Sequence, residues 1–223
     1  TNINIIAMAD LFDDQLQTAK KNFNQLNKDK GFAEINNSNI YQGSKAYLEL
    51  LNNKDVEAVL ISSPAYTHPG FIEAAVAAGK HVYCEKPVAL DVEGCKRVEA
   101  VGNSIDGKLS LVIGFQIRHA SPYGEMVKRI QRGDIGDIIN VQLYYLASRL
   151  PLKPIDDMSN DEVRIRNQFH FTALSGGILL DQGIHMLDVC NWALQGHPEQ
   201  AIASGGNEHG LTVGDVWNNY QVI

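Results

Sequence analysis

The sequence predicts an α/β protein, with strand–helix units laid on a parallel sheet and a second domain of different pattern behind them. Three observations carry this. Short apolar runs end at polar turns and lead into segments of helical period. The run from Val56 to Ile61 is of the nearly continuous apolar type that a strand buried on both faces requires. The alternation stops after Gln116, where the spacing changes. With 223 residues and 44% hydrophobic content, the chain can bury one large core or two small ones.

In chain order, Ile3 to Ala9 reads as a strand ending at Asp10, and Asp13 opens a helix through Leu26. After a polar loop rich in Asn and Lys, Ser44 opens a short helix to Leu51, and the Val56 to Ile61 strand follows. Pro69 marks a helix start, Gly79 closes the alanine-rich segment that ends at Ala78, and His81 to Cys84 forms the next strand. Asp91 caps a helix to about Val101, and Leu109 to Phe115 is the last strand of the alternation. Ser121 and Pro122 begin an amphipathic helix ending at Gly133, and Ile138 to Ala147 reads as a long strand. Residues 149 to 174 hold charged clusters, two prolines and no sustained period, which predicts a long surface loop carrying functional groups. A helix from about Asp181 to Leu194, stopped by Gly196 and Pro198, and a strand from Trp217 to Ile223 complete the pattern. The expected domains are 1–116 and 117–223.

The balance of 19 basic and 26 acidic residues gives a net charge of -7 and no basic face for nucleic acid or anionic lipid. No apolar run approaches the roughly 20 residues that span a bilayer. Cys84, Cys95 and Cys190 are scattered, without the paired spacing of a zinc site or a disulfide framework, and read as buried reduced thiols. None of the seven histidines forms a His-x-x-x-His pair, so no metal is expected.

Three groups of residues carry chemistry. Asp10 stands at a strand end, where an acid in a dinucleotide fold accepts hydrogen bonds from ribose hydroxyls and repels a 2'-phosphate. The G-x-G-x-x-G that normally precedes such an acid by roughly 20 residues occurs nowhere in the chain. Lys86, in the turn Glu85-Lys86-Pro87 after the His81 to Cys84 strand, sits at the carboxyl edge of the sheet, where α/β folds bind ligands. Its ammonium can stabilise alkoxide character on a substrate hydroxyl. Asp181, His185 and Asp188 occupy positions i, i+4 and i+7 of one helix, so an imidazole and two carboxylates share a face where a proton can be taken near neutral pH. His68, after Ser63 and Pro64, is placed equally well to touch a nicotinamide or to enter a helix, and Arg118 and His119 lie at the junction of the two halves. Each residue alone also has an ordinary structural reading: a turn acid, a solvated lysine, a helix-start Asp beside a core His, a solvated Arg.

Taken together, AMAD at 7–10, SSPAYTH at 62–68, AAGKHVYCEKPVAL at 77–90, GFQIRH at 114–119 and SGGILLDQGIHMLDVCNWAL at 175–194 resemble the Gfo/Idh/MocA oxidoreductases, which include glucose–fructose oxidoreductase and inositol dehydrogenase. The resemblance implies a Rossmann-like parallel-sheet domain lacking its first strand and glycine loop, then a truncated α+β domain with an open, mainly antiparallel sheet. It implies that Lys86, Asp181 and His185 are catalytic, that Asp188 supports them, with Arg118 and His119 as further substrate or supporting residues, and that Asp10, Ser63, Pro64, His68 and Glu85 face the cofactor. The expected cofactor is NAD rather than NADP, the expected substrate a sugar or polyol, and the expected assembly a homo-oligomer through the second-domain sheet. The expected reaction is hydride transfer from a secondary alcohol. NAD-assisted glycoside hydrolysis by transient oxidation and a non-catalytic sugar or nucleotide sensor remain open, as do a cytoplasmic and a periplasmic location.

Overall fold

The computed structural model describes residues 3–148, 150–154, 156–207 and 213–223. They form two compact units. The first holds the segment ending at Ile61 together with Gly70–Tyr83 and Val98–Val112; the second holds Ser62–Pro69, Cys84–Arg97 and the chain from Ile113 onward. No helix among the described residues is long and apolar enough to cross a membrane.

In the first unit, β1 (Met8–Asp10) pairs in parallel with β2 (Ile40–Gln42), Met8 opposite Ile40 and Asp10 opposite Gln42. Parallel partners need a crossover, and α1 (Asp13–Asp29) supplies it. Leu16, Ala19 and Phe23 recur at helical spacing and pack with Met8, Ile35 and Ile40, which explains why the amphipathic stretch folds onto this ladder. Asn27, 1% exposed near the end of α1, takes the amide of Ile5 on Oδ1 at 3.1 Å and donates from Nδ2 to the carbonyls of Ile5 (2.7 Å) and Ala33 (3.0 Å). One side chain thus satisfies backbone groups on both sides of the helix.

Following the short helix α2 (Ala46–Asn52), strands β3 (Ala58–Ile61), β4 (His81–Glu85) and β5 (Leu111–Gly114) form a second sheet in that order. Helices α3 (His68–Ala77) and α4 (Val92–Ser104) link them. Lys80 is 7% exposed because its ammonium is consumed by the carbonyls of Asn53 (2.9 Å) and Val56 (2.7 Å). Asp91 caps α4 as expected, accepting from the amide of Gly94 at 2.7 Å.

The second unit continues through a 3-10 turn at Gln116–His119, α5 (Ser121–Gln131), α6 (Asn160–Arg166), α7 (Thr172–Ser175), a π-turn at Leu179–Gly183 and α8 (Ile184–Leu194). It ends in an antiparallel pair, β6 (Ala203–Gly206) and β7 (Asn219–Val222), with Ala203 opposite Val222. Gly205 is needed there: a Cβ would stand 2.5 Å from the Asn219 carbonyl oxygen. The architecture is a parallel-sheet α/β part followed by a part with an antiparallel sheet, as the sequence predicts.

Five expectations need correction. Residues 138 to 147 form no strand, and Ile139 is 96% and Leu146 92% exposed, because alternation supplies a strand face but pairing supplies the ladder, and no described strand lies beside the segment. The stretch 149 to 174 is not a plain loop, since it carries α6, a 3-10 turn at Gln168–His170 and α7, although Arg149 and Ile155 lie outside the described residues. The helix around Asp181 starts earlier and opens with a π-turn. Leu60 in β3 is 68% exposed, so one face of that strand is open rather than covered. Cys95 is exposed, because α4 turns Gly94 and Val98 inward and leaves Cys95 on its outer face.

Replacing Asn27 by Leu keeps the volume but strands the partly buried Ile5 amide and two carbonyls, and is expected to cost roughly 1–3 kcal/mol of stability. Urea unfolding of the two proteins measures it; a difference below about 0.5 kcal/mol, the scale of an ordinary surface substitution, contradicts the role assigned to this amide.

Candidate functional site

Strand β4 delivers Glu85 and Lys86 to the second unit. The Lys86 ammonium donates to the Asp181 carboxylate at 2.9 Å and also to the Asp181 backbone carbonyl, and both side chains are largely buried, 17% and 13% exposed. Both Asp181 oxygens reach the lysine because the residue sits in the widened π-turn Leu179–Gly183 rather than in regular helix. The pair lies on the wall of a cavity of about 170 Å³, whose polar lining includes Ser62, Ser63, His68, Glu85, Gln168 and Ser175. Three of the residues there, Gln168, Phe169 and Ser175, escaped the sequence reading. The signal that would have placed them was the Ser159-x-x-Glu162 capping pattern: Ser159 accepts from the Glu162 amide at 3.2 Å and starts α6, which sets the following turns.

His185 follows Asp181 by one helical turn. It is 3% exposed, stacked on Tyr145 (ring centroids 6.1 Å apart) and met edge-on by Phe115 (6.3 Å), and its Nδ1 has no hydrogen-bond partner among the described residues. Burial and then the Lys86 charge lower its pKa from the ordinary 6.5, with Asp181, Asp188 and Glu85 opposing the shift. The imidazole is not among the residues that line the cavity. Asp188 shares the face of α8 but is turned to a different partner, with Arg118 Nε on Oδ2 and Nη2 on Oδ1, each at 2.8 Å. The Arg118 guanidinium also lies 5.2 Å from the centre of the Trp192 ring. The three residues grouped by spacing therefore share a helix face, but each carboxylate serves a cation rather than the imidazole. Arg118 and His119 line an open hollow at the start of α5, away from the lysine cavity.

The turn after β3 is tightly braced. His68 is 1% exposed, with Nδ1 2.7 Å from the Pro87 carbonyl oxygen and Nε2 2.8 Å from that of Ser63. Both ring nitrogens are therefore occupied by backbone, and the side chain ties the Ser63-Pro64 turn to the Lys86-Pro87 turn. The Ser63 and Thr67 hydroxyls lie 2.6 Å apart, and Thr67 donates to the Pro64 carbonyl at 2.7 Å. Cys84, directly before Glu85, is buried, and burial together with the Glu85 charge pushes its thiol up to about 12. It is an inert core residue. Among the described residues no group of three or more His, Cys, Asp or Glu is arranged to hold a metal ion.

Asp10, in the first unit, ends β1 with its carboxylate accepting from the Phe12 amide at 2.9 Å, while its carbonyl accepts from Gly43 at 3.0 Å. Its strand-end position and negative charge suit a ribose diol and oppose a 2'-phosphate. The donors and acceptors of the lysine cavity suit the polar end of a nicotinamide nucleotide and a polyhydroxylated molecule, whereas no glycine-rich phosphate cradle occurs in the sequence.

Comparison with known proteins agrees with this chemistry. Residues 9–110 match the Gfo/Idh/MocA family described as an oxidoreductase family with an NAD-binding Rossmann fold, and residues 123–219 match the Gfo/Idh/MocA C-terminal domain. The chain is 32% identical over 162 residues to inositol 2-dehydrogenase of Rhizobium meliloti, covering 72% of this chain and 43% of that protein. It is 28% identical over 177 residues to inositol 2-dehydrogenase of Azotobacter vinelandii, covering 78% and 46%. The crystal structure of scyllo-inositol dehydrogenase from Lactobacillus casei with bound NAD(H) and scyllo-inositol superposes with a TM-score of 0.59 at 26% identity, over 92% of this chain and 52% of that one. The chain thus spans about half the length of the relatives it matches. Two adjoining matches account for most of the sequence, and so the chain belongs to the Gfo/Idh/MocA oxidoreductase family.

Proposed function

We propose that the protein carrying this chain is an NAD-dependent dehydrogenase that oxidises a secondary alcohol of a cyclitol or sugar, with residues 1–116 serving the cofactor and 117–223 the substrate. The observation that carries the reading is the Lys86 ammonium, held by both oxygens of Asp181 on the wall of a polar cavity. An ammonium has three donors, so two bonds to Asp181 leave one to point at a substrate oxygen. That remaining donor stabilises alkoxide character as the alcohol loses its proton, and the fixed geometry means no reorganisation is needed at the moment of reaction. His185 acts as the general base, since its lowered pKa keeps it neutral and able to accept a proton at physiological pH. Gln168 and Ser175 offer partners for the other hydroxyls of the substrate. Asp10, Ser63, Pro64, His68 and Glu85 would hold NAD, the braced turn at Ser63–His68 by its shape and Asp10 by its charge. When bound, NAD supplies the hydride acceptor. The inositol dehydrogenases among the relatives favour a cyclitol over an open-chain polyol.

The test is a screen of the full-length protein with NAD against inositols, sugars and nitrophenyl glycosides, following NADH and nitrophenol together. Net NADH from an inositol is the expected result; nitrophenol release without net NADH would replace this reading with hydrolysis by transient oxidation. Lys86→Met is expected to lower kcat/KM on the order of 10² to 10³ while NAD binding persists, as for loss of one preorganised donor, and a variant as active as the parent contradicts the assignment. The pH profile has a defined sign. A base works when deprotonated, so kcat/KM is expected to hold down to pH 6.5 and to fall only below that value, because the His185 pKa lies beneath it. An acid limb centred above 6.5 would remove His185 from the role.

A further inference from the structure

One side chain near His185, held at both ends of its guanidinium fork, has no place in the chemistry described so far. Arg118, in the 3-10 turn after β5, grips α8 at two successive turns: its fork takes both oxygens of Asp188, and its guanidinium face lies over Trp192. The carbonyl of Trp192 is in turn fixed by Gln131 Nε2 of α5 at 2.7 Å. A bidentate fork with a stacked face is a geometry that lysine cannot reproduce. Asp188, meanwhile, stands three residues after His185 on the same helix face, where side chains of opposite charge normally pair. The imidazole is available for that pairing, since its Nδ1 is buried and has no partner among the described residues.

We propose that Arg118 is a positioning residue for His185: by holding both carboxylate oxygens of Asp188, it keeps that acid off the imidazole and leaves the ring uncommitted as a proton acceptor. The proposal rests on the reading of His185 as the base. The charged groups facing the ring are Lys86, which opposes its protonation, and Asp181, Asp188 and Glu85, which favour it; Phe115 and Tyr145 pack on it as neutral rings. Asp181 is neutralised by Lys86 and Asp188 by Arg118. Without Arg118 that balance tips. Asp188 would be a lone carboxylate one turn from an unpaired ring nitrogen, and the ion pair they would form holds the proton that the reaction needs to remove.

In the full-length protein, with NAD and an inositol as probe, Arg118→Ala is expected to move the acid limb of kcat/KM upward by about one pH unit, a tenfold loss of rate on the acid side, with KM little changed. Arg118→Lys, which keeps the charge without the fork, should fall between the two. Adding Asp188→Asn to Arg118→Ala should return the limb to its original position. Histidine-selective NMR titration, with the His185 signal assigned by its loss in His185→Asn, reads the same shift without turnover. It therefore tests the proposal even if no polyol is oxidised. A limb and an NMR midpoint that stay put in Arg118→Ala overturn it. So does a raised KM with an unmoved limb, which would make Arg118 a substrate contact, and so does a shift that Asp188→Asn fails to reverse.

Discussion

The site depends on one ion pair formed between residues 95 positions apart in the chain, Lys86 and Asp181. Lysine at a strand end is ordinarily solvated and mobile, and burying its ammonium is costly unless a partner compensates. Here the partner gives two oxygens, one from the backbone and one from the side chain, and the π-turn is what lets a single residue offer both. The pair therefore does two things at once. It fixes the segment around α8 against the end of β4, and it leaves the ammonium on the cavity wall with one donor beyond its two bonds to Asp181.

Around that pair the charges are sorted rather than pooled. Each carboxylate of the Asp181, His185, Asp188 face is bound to a cation from a different element, Lys86 after β4 and Arg118 after β5. The imidazole between them keeps no fixed hydrogen bond at Nδ1 and feels mainly desolvation and the nearby ammonium. Two acids beside a histidine suggest a ring held protonated. The coordinates give the opposite balance, because burial and the Lys86 charge outweigh the pull of Asp181, Asp188 and Glu85 on the ring.

Much of this was legible in the sequence, and the rest was hidden for definable reasons. Helices α1, α3, α4 and α5 were readable from apolar spacing and from their punctuation at Asp91, Pro69, Gly79 and Gly133, since those signals are local. Lys86 and the helix face at 181–188 were readable because strand-end position and i, i+4, i+7 spacing follow from geometry alone. The partner of each charge was not readable, because pairing across 70 or 95 residues is a property of the packed chain. The segment 138–147 shows the same limit from the other side: its alternation is that of a strand, but whether it joins a ladder depends on a neighbour the pattern does not encode. Cavity residues Gln168 and Ser175 sit in short turns without periodicity, where only the cap at Ser159 gave a local cue.

The aromatic setting of His185 separates two things that proteins usually fix with a single bond. A hydrogen bond to the second ring nitrogen commonly sets both the orientation of an imidazole and its tautomer. Here Tyr145 and Phe115 clamp the plane of the ring by contact, while Nδ1 is left without an acceptor. The pose is dictated by shape, and the protein imposes no preference at that nitrogen as to where the single proton of the neutral ring resides. A hydrogen taken up by such a ring enters and leaves at the other nitrogen, since a buried Nδ1 with no partner among the described residues has nothing to exchange with.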